Sequence, residues 1–352
     1  MVKTVLGGPQ NFLNRLQKEL KKYDLPKHEI INPHPANLHL LKKNVAKIGR
    51  LDGAIYYKIT PLNLFNLLKQ RRGVELKFIK KLPYSFSMIL NKPLNYYLNR
   101  SNRKIFRKSD GIVFQSELSK KMHEKFVGVD NNTKLHEIIL NGVPTETFYP
   151  IKNGIVLEGN PKLVITASFR PHKRLQDAIM IVNSLKKKFK DIKLHVIGDM
   201  DNLTKEYISI LDTSSCIFHG RIKSEDLPMF YGSCDVGLAL GVFDPCPNSV
   251  VEMMACGLPV ITNSQSGASE LLKNKNLIVE DNFLLDFMEL QTVEKLPKVD
   301  VNMWCKKIEE VLEKREVFSE FVLNRVEEEL NIKIVAKKYA AFIQKVYNET
   351  IS

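Results

Sequence analysis

The sequence has few cysteines and no long hydrophobic run, and each absence excludes a class of protein. Its five cysteines all lie beyond residue 215 and form no C-x-x-C pair, which argues against a zinc site and against a disulfide framework. No apolar run approaches the roughly 20 residues that a membrane span requires. Met1–Leu6 is too short an apolar stretch for a secretory leader. With the odd number of cysteines, these absences predict a cytoplasmic protein that is at most attached peripherally to a membrane.

Acidic residues are scarce in the first half of the chain. All 352 residues together carry 53 Lys and Arg against 39 Asp and Glu, a net charge of +14. Residues 1–150 hold 27 basic and 11 acidic residues, a net +16, so the remainder is close to neutral at −2. This asymmetry indicates an anionic partner for the first half, such as nucleic acid, anionic lipid or a phosphorylated substrate. A Lys-rich solvated surface explains the same numbers, and composition alone leaves both interpretations open.

Short apolar runs alternate with helix-length segments along most of the chain, which predicts repeated βα units and parallel sheets. A Gly- and Pro-rich stretch at 141–160 interrupts the alternation and indicates a linker. We therefore predict an α/β fold of two doubly wound, Rossmann-like units that face each other across a cleft, followed by an amphipathic C-terminal helix. The predicted strands are Val2–Leu6, Ala54–Tyr57, Leu76–Ile79, Gly111–Gln115, Leu163–Ala167, Lys193–Ile197, Ser215–His219, Val236–Leu240, Pro259–Thr262 and Leu277–Val279. The predicted helices are Asn11–Tyr23, Leu175–Phe189, Ser224–Tyr231, Ser249–Cys256 and Ile334–Tyr347.

Two loops that follow predicted strands carry groups suited to an anion. Gly7-Gly8 follows the first strand, where glycine lets the backbone approach a phosphate near a helix N-terminus; an ordinary tight turn is an equal alternative. Ser168–Leu175 follows the first strand of the second unit and contains the three cations Arg170, Lys173 and Arg174. Guanidinium and ammonium groups on one loop can share the charge of a diphosphate.

The most informative stretch is Phe243–Ile261, in which Asp244 and Glu252 are separated by seven residues. Asn248 or Ser249 is expected to cap the helix that contains Glu252, and Gly257 to end it. A carboxylate at a helix start suits a ribose diol, because two hydroxyl donors can meet one acceptor group.

This stretch resembles the E-x7-E region of the retaining glycosyltransferases of family 4, which have the two-domain GT-B fold. Other segments resemble that family in the expected order: Gly111–Glu117, Ile139–Pro150, Ser168–Leu175, Leu194–Asp199, Phe218–Ile222 with Leu227–Tyr231, and Ser266–Glu270. The resemblance implies that residues 1–145, with the helix 334–352, form an acceptor-side domain. Residues 146–333 would form the domain that binds the nucleotide sugar.

The resemblance also implies a reaction and a set of site residues. The reaction is transfer of a sugar from a nucleotide sugar, with a UDP- or GDP-sugar favoured, to an acceptor hydroxyl with retention and without metal or other cofactor. The catalytic group would be Arg170, Lys173 and Asp244, since fixed cations must stabilise the leaving diphosphate when no metal does. Glu252 would hold the ribose, and the further donor-binding residues would be Gly7, Gly8, Gly198, Arg221, Cys246, Asn248, Ser249 and Val250. The leaving phosphate would accept the acceptor's proton, so His34 receives no role as general base.

The sequence departs from the family pattern at the sugar end of the site. The first acid is Asp244 rather than glutamate, and Pro245-Cys246-Pro247 replaces a Gly-Phe-Gly type of sequence. Neither proline offers an N–H to a sugar hydroxyl, so the family's donor-sugar preference does not carry over.

The first half is expected to hold the acceptor, which would be a glycan, a glycolipid or a protein-linked glycan. Tyr84–Lys108 mixes aromatic and basic residues, as a helix lying on an anionic membrane does, but an ordinary helix with one buried face is favoured. Two other functions are alternatives: a GT-B epimerase or phosphorylase, and a non-enzymatic binder of anions or nucleic acid. The ordered motifs argue against the first, and no nucleic-acid-binding motif accompanies the basic charge, so no nucleic-acid partner is expected.

Overall fold

The computed structural model describes residues 8–31, 45–51, 99–130, 134–151, 154–280 and 299–350. Within them the chain forms two parallel sheets, one in each half of the sequence, with helices packed around them. This arrangement confirms the predicted α/β class. Several predicted features lie outside the described residues, namely the strands Val2–Leu6, Ala54–Tyr57 and Leu76–Ile79, and the residues Gly7 and His34.

The first sheet contains four described strands in the order β1-β2-β3-β4. The described elements of this half are α1 (Gly8–Leu20), β1 (His28–Ile31), β2 (Ala46–Leu51), α2 (Arg100–Lys108), β3 (Gly111–Phe114), α3 (Glu117–Met122) and β4 (Leu135–Ile138). Only β3 agrees with a predicted strand. The sequence analysis missed β2 because Lys47 and Arg50 interrupt its apolar residues, although Arg50 is fully buried.

The second sheet has the order β10-β9-β8-β5-β6-β7. Its half comprises β5 (Lys162–Thr166), α4 (Leu175–Leu185), β6 (Lys193–Ile197), α5 (Asn202–Ile208), β7 (Cys216–Gly220), α6 (Leu227–Gly232), β8 (Val236–Ala239), α7 (Asn248–Ala255), β9 (Val260–Asn263), α8 (Ala268–Leu272), β10 (Ile278–Val279), α9 (Val301–Glu313) and α10 (Arg315–Arg325). The chain adds β6 and β7 on one side of β5 and the later strands on the other. Ligands bind at such a reversal of strand order, outside the carboxyl ends of the strands.

The helices of the second half bury most of its apolar side chains against this sheet. Trp304 on α9 is fully buried beside α4. The predicted end of α7 is observed, because Gly257 follows the helix with φ +74°, a backbone conformation that glycine adopts readily. The predicted cap is wrong: Pro247 stands at the cap position and no side chain caps the helix. Asn248 is instead the first helical residue, and its side-chain oxygen accepts a hydrogen bond from Asn141.

The C-terminal helix α11 (Ile332–Thr350) returns to the first half, as predicted. Tyr339 packs on Phe12 of α1 with ring centroids 6.4 Å apart. A Cβ at Gly111 would lie 2.4 Å from Val346 Cγ2, so the glycine allows α11 to approach β3 closely. The two crossings between the halves are bonded to each other, since Val143 N–H donates to Leu330 O and Ile332 N–H to Val143 O, both at 2.9 Å. The proposed limits of the two domains stay a prediction.

Candidate functional site

The candidate site lies at the carboxyl ends of the second sheet's central strands. The loops after β5 and β6 meet there, because Ala167 N–H donates to Ile197 O at 3.1 Å. Gly198, which follows β6, has φ +129°, and a Cβ at this position would lie 1.8 Å from Ala167 O. Only glycine fits this crossing, so Gly198 shapes the floor of the site through the backbone.

The basic loop after β5 presents two of its three cations to the site. Arg170 is exposed, and Lys173 is half-buried. Arg174 is 1% exposed and pairs with Asp177 at 2.8 Å, so the expectation that it helps to clamp an anion is wrong. His172 lies between these cations, and burial, followed by the neighbouring Lys173, lowers its pKa to about 4.

Lys173 and Asp244, two of the predicted catalytic residues, form an ion pair. Both side chains are about four-fifths buried. The loop after β9 supports the loop that carries Asp244, because Gly267 N–H donates to Asp244 O at 2.9 Å. A Cβ at Gly267 would lie 1.7 Å from Pro245 O, so the loop after β9 packs directly on the Asp244 loop. The structure therefore brings together a cation and a carboxylate that are 71 residues apart in sequence.

Glu252 lies on the second turn of α7 and is almost fully buried. Its Oε1 accepts a hydrogen bond from Nη1 of Arg15 at 2.8 Å. Burial raises the pKa of Glu252, and the charge of Arg15 opposes that rise. Arg15 belongs to α1 in the first half, and the sequence analysis missed it. A buried carboxylate requires a cation or several hydrogen-bond donors as partners. The sequence indicates that Glu252 needs such a partner, but it does not indicate which residue provides it.

Cys246 and Asn248 contact the first half of the chain. Asn141, which follows β4, donates from Nδ2 to Cys246 O at 3.0 Å and to Asn248 Oδ1 at 2.8 Å. Its backbone N–H donates to Cys246 Sγ at 3.3 Å, and burial raises the pKa of this thiol to about 12. Arg50 donates from Nη2 to Asn141 Oδ1 at 2.8 Å. This buried network ties the loop after Asp244 to the first sheet.

The remaining predicted residues are spread over the rim of the site and the starts of two helices. Arg221 follows β7 and pairs at 2.9 Å with Asp199, both side chains being about half exposed. Gly8 is the first residue of α1. Ser249 and Val250 lie in the first turn of α7, where Val250 N–H donates to Pro247 O at 3.1 Å.

No three His, Cys, Asp or Glu side chains among the described residues are grouped as a set of metal ligands. In the same part of the chain, no helix has both the length and the apolar character that crossing a membrane demands.

Comparison with known proteins supports one class of fold. Residues 151–289 match the family model of the glycosyl transferases group 1. No curated protein sequence matches the chain. Among solved structures, the chain is similar to sucrose-phosphate synthase from Thermosynechococcus elongatus, with a TM-score of 0.61 and 16% identity over 99% of this chain and 82% of that one. It is also similar to a glycosyltransferase from Rickettsia africae, with a TM-score of 0.59 and 15% identity over 100% and 85% of the two chains.

A third similar structure is Anabaena HepE in complex with UDP-glucose, with a TM-score of 0.57 and 13% identity over 95% of this chain and 82% of that one. Together with the two parallel sheets, these similarities show that the chain has the GT-B fold, as the sequence predicted.

Proposed function

We propose that this chain is a glycosyltransferase that moves a hexose from a UDP- or GDP-sugar to an acceptor hydroxyl, with retention and without a bound metal. The observation that carries the proposal is the Lys173–Asp244 pair, which stands with Glu252 at the edge of the second sheet where a GT-B fold binds its ligand. All three residues lie in the part of the chain that matches the family model. The complex of HepE with UDP-glucose supports a nucleotide sugar as the donor.

In this proposal the cations of the basic loop hold the donor's diphosphate. Negative charge develops on the diphosphate as the glycosidic bond breaks, and preorganised cations stabilise that charge more in the transition state than in the ground state. The Lys173 ammonium has three N–H donors, so it can keep its bond to Asp244 and still donate to a phosphate oxygen. Arg170 is exposed beside it and can add a second cation.

The two carboxylates would hold the two ends of the donor. Asp244 would accept hydrogen bonds from the sugar, while Glu252 would accept them from the ribose. The amides of Asn248 and Ser249 at the start of α7 add donors near the sugar, and Arg221 with Gly198 would border the nucleoside. The acceptor hydroxyl would attack on the face from which the diphosphate leaves, and the diphosphate would take up its proton.

A thermal-shift panel of UDP-, GDP-, ADP- and dTDP-sugars tests the donor class, because a ligand that binds only the folded state raises the melting temperature. Transfer kinetics of Asp244→Ala and Lys173→Ala test the site. We expect each variant to lose about 10²-fold or more in kcat/KM, the usual cost of removing one such electrostatic group. Lys188→Ala is the matched control, since Lys188 forms an exposed ion pair with Glu309 on the surface. Unchanged kinetics in Asp244→Ala would contradict the assignment.

We propose further that the acceptor is presented at an anionic membrane surface to which this cytoplasmic protein binds peripherally. Helix α2 supports this, because its exposed positions Arg100, Lys104, Arg107 and Lys108 are all basic. Each cation of such a helix contributes about 1 kcal/mol to binding when it lies near an anionic membrane surface. Co-sedimentation with phosphatidylserine vesicles at low salt tests the idea. Binding should disappear in Lys104→Glu/Arg107→Glu, and an unbound wild-type protein would refute it.

The alternative functions have separate readouts. Consumption of the nucleotide sugar without acceptor would favour an epimerase, and transfer to inorganic phosphate would favour a phosphorylase. Binding to nucleic acid with a steep salt dependence, without affinity for any nucleotide sugar, would favour a non-enzymatic binder.

A further inference from the structure

Arg15 links the first half of the chain to the proposed ribose carboxylate. Its guanidinium donates from Nη1 to Glu252 Oε1 at 2.8 Å and from Nη2 to Ser224 Oγ at 3.0 Å. Its Cζ lies 5.2 Å from the centroid of the Phe148 ring. One side chain of α1 therefore contacts α7, the segment after β7 and the crossing between the halves.

This contact differs from an ordinary surface ion pair. Only 18% of the Arg15 side chain and 10% of the Glu252 side chain are exposed, so water screens the two charges weakly. The planar guanidinium has a fixed fork of donors, and two of its arms are engaged by different elements. The geometry therefore fixes the orientation of the Glu252 carboxylate.

The fork engages only one oxygen of Glu252. Oε1 accepts from Arg15, and Oε2 accepts no hydrogen bond from the residues that the structure describes. Oε2 is also not sealed from solvent. A carboxylate held in this way keeps one acceptor oxygen for a ligand hydroxyl while the other anchors it.

We propose that Arg15 is a positioning residue for the nucleotide: it anchors Glu252 through Oε1 so that Oε2 can accept the ribose hydroxyls. The inference rests on the proposed function, since it deepens the description of the same site. It makes donor binding depend on a residue from the acceptor-side half. It also places Arg15 and Ser224 beside the nucleoside. Arg15 lies outside both the motifs that resemble the family and the residues that match the family model.

The experiment compares Arg15→Gln, Arg15→Lys and the control Lys18→Gln, an exposed cation one turn further along α1. Titration calorimetry with UDP and GDP and steady-state kinetics give Kd, KM and kcat for each variant. We expect Arg15→Gln to raise the nucleotide Kd and the donor KM about tenfold or more, as loss of a charge-assisted hydrogen bond does, with a smaller effect on kcat. Arg15→Lys should restore part of the affinity because it keeps the charge but not the fork, and Lys18→Gln should match the wild type.

A double-mutant cycle with Glu252→Gln decides whether Arg15 acts through that carboxylate. In the Glu252→Gln background, Arg15→Gln should cost little further affinity. Fully additive losses would overturn the positioning role. Unchanged binding in Arg15→Gln would overturn it as well, and tighter binding would show that Arg15 competes with the nucleotide. If the wild-type protein binds no nucleotide of the panel, the proposed function itself fails. That result differs from an Arg15→Gln variant that binds nucleotide as tightly as the wild type, which overturns only the role of Arg15.

Discussion

Asn141→Ala should destabilise the protein strongly, because Asn141 is the centre of the buried network between the two halves. The substitution removes the hydrogen bonds of its side chain to Cys246 O, to Asn248 Oδ1 and to Gln115 Oε1, and the one that it accepts from Arg50. It keeps the backbone N–H that donates to Cys246 Sγ. The loss is therefore confined to the side-chain amide.

The magnitude follows from the kind of bond that is lost. The two N–H groups of the amide share three neutral acceptors, and each N–H is worth about 1 kcal/mol. The bond from the charged guanidinium of Arg50 is worth about 2 kcal/mol, so we expect a loss of about 3–4 kcal/mol. Arg50 is fully buried, which makes the loss of a partner costly. Because the same amide holds the loop that follows Asp244, the donor KM should rise in parallel.

Urea unfolding followed by tryptophan fluorescence measures this loss, since the chain has one tryptophan, Trp304, buried in the second half. Asn183→Ala is the matched control, because the Asn183 side chain makes one exposed hydrogen bond, to Asp212 O at 2.8 Å. The control should cost less than about 1 kcal/mol. If the two variants unfold at the same urea concentration, the network contributes no more than an exposed bond and the reasoning is wrong.

Two further predictions concern a contact between the halves and the pH dependence of stability. Glu270→Ala should speed hydrogen exchange at the start of α3 about tenfold or more, because the Glu270 carboxylate accepts from the amides of Glu117 at 2.8 Å and Leu118 at 2.9 Å; unchanged protection of these amides would contradict it. Burial lowers the pKa values of His123 and His172 to about 4 from the ordinary value of 6.5, so the unfolded chain binds protons at a higher pH than the folded chain does. Stability should be full above pH 6.5 and fall by up to about 3 kcal/mol per histidine towards pH 4, and urea midpoints that stay constant over this interval would refute the assignment.

The second half was predictable because its signals are local. The strands β5, β6, β8 and β9 are short apolar runs bounded by turn residues, and both faces of a parallel sheet are buried. Gly257 ended its helix where the sequence indicated, since a glycine after an apolar helical run is a common stop. Arg170 and Lys173 follow β5 and Gly198 follows β6, so the rule for carboxyl ends of strands suggested them. Asp244 and Glu252 were predicted from the resemblance to the E-x7-E region.

Strand β2 of the first half was harder to predict because a charged residue is buried within it. Arg50 lies in the middle of β2 with no exposure, and its partners Gln115 and Asn141 come from distant parts of the chain. Such a residue looks like a surface cation until its partners are known. The same reasoning explains why Arg15 was missed while Arg170 was not: a position after a strand is visible in the sequence, whereas a partner across the cleft is not.

Polar contacts at the site join the two halves, and they bear on how the proposed reaction could work. The apolar clusters of the described residues lie largely within one half or the other; Val143 and Phe148, at the crossing, belong to the cluster of the second half, and α11 belongs to a cluster of the first. The site's own residues join the halves, through Glu252 to Arg15 and through Asn248 to Asn141. A donor that bonds to Oε2 of Glu252 would join this network without displacing Arg15 from Oε1. Nucleotide binding would therefore be linked to the contact between the halves, and through that contact to the geometry of the acceptor side.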